Sequence, residues 1–125
     1  MDSTESTRSP RGRLRPLPQP WQFRYCYEGG RKIVTRYAVV FIRAPIEPDG
    51  IRIGVVASKK VGGAVRRNRA RRLLRETARS LVPRWQNRPL WIVFVARESI
   101  NERNATEVHD EIARVLTEHD AFKFE

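Results

Sequence analysis

A chain of 125 residues with 40% hydrophobic content suits one compact domain plus a tail and is too short to divide comfortably into two. Its formal charge of +11 and pI near 11.1 point to a polyanionic partner, nucleic acid first and anionic membrane second, and away from acidic proteins and neutral metabolites. The single cysteine, Cys26, excludes an internal disulfide and every multi-cysteine zinc site; no apolar run approaches the roughly 20 residues needed to cross a bilayer, and no signal-peptide pattern opens the chain, so a reduced cytoplasm is expected.

Residues 1–20 carry Ser, Thr, Arg and Pro, with prolines at 10, 16, 18 and 20, the composition of a disordered basic tail ahead of a single domain over 21–125. Trp21, Phe23, Tyr25 and Tyr27 then crowd a segment closed by Gly29 and Gly30, which predicts a short helix over 21–27. Ile33 to Arg43 is rich in β-branched and aromatic residues, and Pro48-Asp49-Gly50 supplies turn chemistry before a second such run, Ile51 to Ala57. Two antiparallel strands joined by that turn are expected. Ala70, Leu73, Leu74, Thr77, Ala78 and Leu81 recur at three- and four-residue spacing, so an amphipathic helix is predicted from Ala64 to Val82, where Pro83 blocks it. The apolar run Leu90 to Ala96 reads as a central strand. Asn104 with Glu107 forms a capping-box start for a last helix whose apolar positions are Ala105, Val108, Ile112, Val115 and Leu116. The sum is an α+β two-layer sandwich, a sheet of about four strands backed by helices in the order α-β-β-(β)-α-β-α, the bracketed strand being optional.

Charge is concentrated in the middle of this order. Between Ser58 and Arg79 stand nine basic residues and one acid, Glu76. At 100° per residue, Asn68, Arg71, Arg72, Arg75 and Arg79 share a face opposite the apolar stripe through Ala70, Leu73, Leu74 and Leu81. Such a face is often merely solvated. Here, however, seven arginines within fourteen residues repel one another at i, i+3 and i+4, at about 0.2–0.5 kcal/mol per close pair, and an external polyanion would offset that cost. Arginine suits the task because its planar fork bridges phosphate oxygens and stacks on bases. The preceding Ser58-Lys59-Lys60-Val61-Gly62-Gly63 combines cations with glycines that let a backbone approach phosphate near a helix N-terminus.

The contiguous run Arg52-Ile53-Gly54-Val55-Val56-Ala57-Ser58-Lys59-Lys60-Val61-Gly62, followed by Ala64-Val65 and by Arg67-Asn68-Arg69-Ala70-Arg71-Arg72-Leu73-Leu74-Arg75-Glu76, resembles the signature of the bacterial ribonuclease P protein family. Gly63 departs from the asparagine often found there. The resemblance implies a protein subunit of an RNA-based endonuclease that removes 5′ leaders from precursor tRNAs, with hydrolysis performed by Mg²⁺ bound to the RNA partner. It implies contacts to the catalytic RNA from Arg67, Asn68, Arg69, Arg71, Arg72 and Arg75, to which the concentrated charge adds Lys59, Lys60 and Arg66 as expected RNA contacts. It also implies a cleft between the first helix and the sheet that holds the single-stranded leader of precursor tRNA, with Phe23, Tyr27 and Phe41 at its aromatic positions; the basic neighbours Arg24, Arg31, Arg36 and Lys59 are expected to hold the leader backbone. Stacking on unpaired bases is tolerant of sequence, which suits a processor of many precursors. Without the resemblance, Phe23 and Phe41 read first as ordinary core residues.

Catalytic patterns in the chain itself fail. His109 and His119, each beside an aspartate, are ten residues apart on one predicted helix, about 15 Å along the axis and about 80° off a common face, too far to share an ion. The acids gather after Arg97 and form no two-metal cluster, and Cys26 has no histidine partner in sequence and reads as a packed side chain. No metal site, membrane contact or DNA partner is expected of the chain. Two other readings of the charge are a ribosomal or general structured-RNA-binding protein and a DNA binder that lays the basic helix in a major groove.

Overall fold

Helix α1 (Pro20–Gly29) opens with Pro20 in its first turn and with Gln19 and Gln22 capping each other's backbone, the Gln22 side chain accepting from Gln19 N at 2.8 Å. The computed structural model describes residues 14–123, over which α1 is followed by strands β1 (Arg31–Val34), β2 (Ala38–Arg43) and β3 (Ile51–Val56), helix α2 (Ala64–Leu81), strand β4 (Leu90–Ala96) and helix α3 (Ala105–Glu118). Gly30 ends α1 for reasons of space: its φ is −83°, but a Cβ there would lie 2.3 Å from the Cys26 carbonyl oxygen.

The stretch Ile33 to Arg43, read from sequence as one strand, is a hairpin of β1 and β2. Thr35 makes the turn, its hydroxyl accepting from Ala38 N at 3.0 Å and donating to Ala38 O at 2.6 Å, so no glycine or proline marks the bend. The expected pairing of the two strands flanking Pro48-Asp49-Gly50 does not occur. The sheet order is β1-β2-β4-β3, with β4 inserted antiparallel to β2 (Val40 opposite Phe94) and parallel to β3 (Ile53 opposite Ile92). The physical reason is that β4 is apolar on both faces and belongs at the centre, while α2 supplies the long crossover that parallel strands require.

Helices α2 and α3 cover one face of the sheet, packing Leu73, Leu74, Leu81, Val108, Ile112 and Leu116 onto Val40, Ile53, Ile92 and Phe94. Asn104 and Glu107 form the predicted capping box at 2.8 and 3.0 Å. Helix α1 lies on the other face with Cys26 and Leu17 against Trp91 and Val93. Residues 1–13 of the expected tail lie outside the described residues. Residues 14–20 do not trail away: Ile53 N donates to Arg15 O at 2.8 Å, Pro16 bridges to Ile53, and Leu17 is buried, so this segment lines the outer edge of β3.

Asp49 fastens that edge. Its carboxylate accepts from Arg52 Nε at 2.5 Å, Arg15 Nη2 at 3.2 Å and Trp91 Nε1 at 3.1 Å, joining the N-terminal segment, β3 and β4. Hydrogen bonding from Arg52, reinforced by Trp91 and Arg15, outweighs the opposing effect of burial and holds the Asp49 carboxyl down at about 2. Gly50 follows at φ +78°, a conformation that favours glycine.

Candidate RNA-binding surfaces

Strand alternation sends Arg52, Gly54 and Val56 of β3, Trp91, Val93 and Val95 of β4, and Val39 and Phe41 of β2 to the α1 face. Register aligns Phe41, Val93 and Gly54 in one row and Val34, Val39, Val95 and Val56 in the next. Helix α1 covers the first row. Phe23 sits directly over Gly54, where a Cβ would come within 2.5 Å of its ring, and Tyr27 meets Phe41 edge-on with centroids 4.9 Å apart. The second row is only partly covered, and Val34 is 53% exposed. A cleft of about 520 Å³ opens there, lined by Pro18, Gln19, Pro20, Phe23, Arg24, Tyr27 and Val56. Of the three aromatic residues, Phe23 and Tyr27 line this groove, whereas Phe41 does not and reaches it only through its ring contact with Tyr27.

The groove adjoins the basic loop, since Val56 stands three residues before Lys59. Buried Val61 plugs the loop into the core, its carbonyl accepting from Asn101 Nδ2 at 2.7 Å, and Val61 N and Gly62 N donate back to Ser58 O and Lys59 O. Lys59 and Lys60 are left exposed on a fixed turn. Gly62 has φ +143° and a Cβ there would press on Arg66 Cδ at 2.7 Å, so a side chain is excluded. Gly63, at the start of α2, has open space around it and no side-chain cap over the helix N-terminus.

Along α2 the buried line is Ala70, Leu73, Leu74, Thr77, Ala78 and Leu81, as the periodicity predicts. Arg66, Asn68, Arg72 and Arg75 are exposed. Two residues assigned to the outward face lie lower. Arg71 is half-buried on its flank and donates to Asn68 Oδ1 at 2.5 Å, and Arg79 is half-buried with its Nε enclosed. Arg67 is half-buried, and so is Arg69, whose guanidinium reaches across to the Arg103 carbonyl ahead of α3. Arg69 thus ties the basic helix to the turn before α3.

A Ribonuclease P family model matches residues 12–120. The chain is 34% identical over 100 residues to the ribonuclease P protein component of Chloroflexus aurantiacus, covering 80% of this chain and 73% of that one. It is 32% identical to the Clostridioides difficile protein component over 108 residues, 86% of this chain and 94% of that one. The chain belongs to the ribonuclease P protein family. Its fold is that of the Staphylococcus aureus ribonuclease P protein, with a TM-score of 0.75 at 24% identity over 89% of this chain and all of the other.

Set in this family, the signature segment from Arg52 to Glu76 is β3, the lysine-glycine loop and two thirds of α2, so one continuous stretch of chain forms both a wall of the cleft and the basic helix. Arg36 stands apart from the aromatic residues. It lies in the β1–β2 turn, where its amide donates to Glu111 Oε2 at 3.2 Å and its charge helps hold Glu111 below the usual carboxylate range, behind the stronger effect of hydrogen bonding from Arg114. Arg31 likewise reaches the His119 carbonyl on the helical side. Gly54 and Val56 escaped the reading of site residues, although a glycine inside a strand signals close approach of another group. His109 bonds Ser80 and Asp110, each at 3.0 Å, and Cys26 is buried with its thiol pushed up to about 11 by that burial. Among the described residues no three His, Cys, Asp or Glu side chains converge as metal ligands, and no helix is long and apolar enough to cross a membrane.

Proposed function

We propose that this ribonuclease P protein grips the catalytic RNA with Lys59, Lys60, Arg66, Arg67, Asn68, Arg71, Arg72 and Arg75, and threads the 5′ leader of precursor tRNA through the cleft of Phe23, Tyr27 and Phe41. Arg69 contributes to the RNA contact chiefly by fixing the aim of α2. The observation that carries the reading is the adjacency of the two surfaces, a groove with aromatic walls that opens beside a loop and helix of concentrated positive charge. Aromatic faces stack on unpaired bases and guanidiniums neutralise phosphate, so the pair suits an RNA that is single-stranded at one end and structured at the other.

The chemistry is assigned to Mg²⁺ held by the RNA partner. The chain's own part is to bind, orient and screen charge, and a cytoplasmic setting follows from that partner. Arg24, exposed on α1 and lining the cleft, is the cation best placed to follow the leader backbone. Arg36 would serve only a leader long enough to pass the hairpin turn.

Reconstitution tests this. With a bacterial catalytic RNA at low Mg²⁺, the protein should stimulate cleavage of precursor tRNA and bind precursor more tightly than mature tRNA. Equal affinity for the two would remove the leader from the proposal, and absence of stimulation would remove the subunit role.

A further inference from the structure

Helix α1 carries an aromatic pair on each flank, and the leader reading uses one of them. With Gln22 and Cys26 as the buried line, positions 23 and 27 fall about 100° to one side and positions 21 and 25 about 100° to the other. On this second flank Trp21 and Tyr25 each meet Trp91 edge-on at 5.6 Å and each other at 6.4 Å. The two supports are fixed. Tyr25 donates its hydroxyl to Ala44 O at 3.0 Å and lies under the Arg43 guanidinium at 3.7 Å, while the Trp91 indole N–H is held by Asp49. Trp21 rests on them and keeps 44% of its surface in solvent, against 5% for Trp91 and 0% for Trp85.

The surroundings select the ligand. Arg43 covers Tyr25, and Arg15 and Arg52 both bind Asp49, so three guanidiniums and one carboxylate touch this aromatic group or its anchor. A braced indole face beside excess positive charge fits an unpaired nucleobase with its phosphate better than it fits an acidic or purely apolar surface. Arg24, on the exposed crest of α1 between the two flanks, also lines the cleft, and Glu28 is the acid one turn further along that crest. We propose that Trp21 is a second stacking platform for single-stranded RNA, reached when a strand leaving the cleft crosses α1 past Arg24. This rests on the cleft being the leader site and extends it.

The test uses the full chain with oligoadenylates of four and twelve nucleotides, read by tryptophan emission and by anisotropy of labelled oligomers. The twelve-mer should quench emission, because Trp21 carries most of the exposed indole surface, and inorganic polyphosphate of equal charge should not. Trp21→Ala should weaken the twelve-mer by about fivefold or more and leave the four-mer unchanged, with Trp21→Phe retaining twelve-mer affinity. Phe23→Ala should weaken both lengths. If Trp21→Ala binds the twelve-mer like the parent while Phe23→Ala remains weak, the platform is refuted and the cleft stands; if neither substitution matters, both fall. Equal losses at both lengths would mean that Trp21 shapes α1 and does not stack, and quenching by polyphosphate would reduce the site to charge. Should Trp21→Ala fail to fold, the comparison of twelve-mer and polyphosphate quenching decides alone.

Discussion

Gly54→Ala is the sharpest probe of how the cleft is built. The added methyl would stand 2.5 Å from Phe23 Cε2, 2.8 Å from Cζ and 3.2 Å from Leu17 Cδ1, so the Phe23 ring must leave its seat over β3. Overpacking of this kind costs about 1–3 kcal/mol, and the reduced freedom of the unfolded chain returns about 0.4–1 kcal/mol, so the net loss should be about 0–2.6 kcal/mol, with the melting temperature lowered by about 3–6 °C for each kcal/mol lost. The functional loss should be larger than that suggests. Displacing one stacking ring removes about 1–3 kcal/mol, or about five- to 150-fold in affinity, and only for RNA that occupies the cleft. Precursor tRNA titrated against the holoenzyme should therefore weaken by that factor, with mature tRNA and the affinity for the catalytic RNA unchanged. An equal loss for precursor and mature tRNA, or no loss for either, would refute the claim that Phe23 must sit on a bare strand to receive the leader.

Asp49→Asn should destabilise the fold by about 1–2 kcal/mol after allowance for solvent screening, measured by urea unfolding. Because the folded carboxyl titrates at about 2 and the unfolded one near 3.8, its contribution is full above the unfolded value and is lost as pH falls toward 2; the variant should lose that part of the acid dependence. Arg72→Ala with Arg75→Ala, both exposed, should leave thermal stability within about 0.5 kcal/mol and reduce the salt slope of RNA binding, expected at about −4 to −5 for about six phosphates, by about 1–2. A drop in stability would make them structural. Cys26, buried with its thiol raised to about 11, should resist alkylation at neutral pH until the protein unfolds, and rapid labelling of the native chain would contradict the packing of α1.

The sequence spoke most clearly where one periodicity governed. Helix α2, its apolar line and the capping box of α3 are local patterns, and all three appear as read. Strand pairing is not local. Nothing in residues 38–56 says that β4, more than thirty residues later, will separate β2 from β3; that outcome follows from a strand apolar on both faces taking the centre of the sheet. The Thr35 turn was hidden for a related reason, because a hydroxyl closing on Ala38 leaves no glycine or proline to see. The edge segment 14–20 has no local signal either, because proline content speaks against helix and strand interiors but not against a segment lying along a sheet edge, where Pro16 has no amide to offer and needs none.

The same contrast separates the two halves of the candidate site. The basic surface was legible because its residues are consecutive and their charges add whatever the fold does around them. The cleft was legible only through the family resemblance, because Phe23 and Phe41 by themselves read first as core residues, and it is the bare backbone at Gly54 that lets α1 sit close enough for Phe23 to line a groove. A methyl at position 54 would leave the charge, the hydrophobic pattern and the helix count of this chain untouched. On the proposed reading it would change the one surface that distinguishes a subunit able to hold a leader from a basic protein that merely holds RNA, and that surface is specified by an absent side chain.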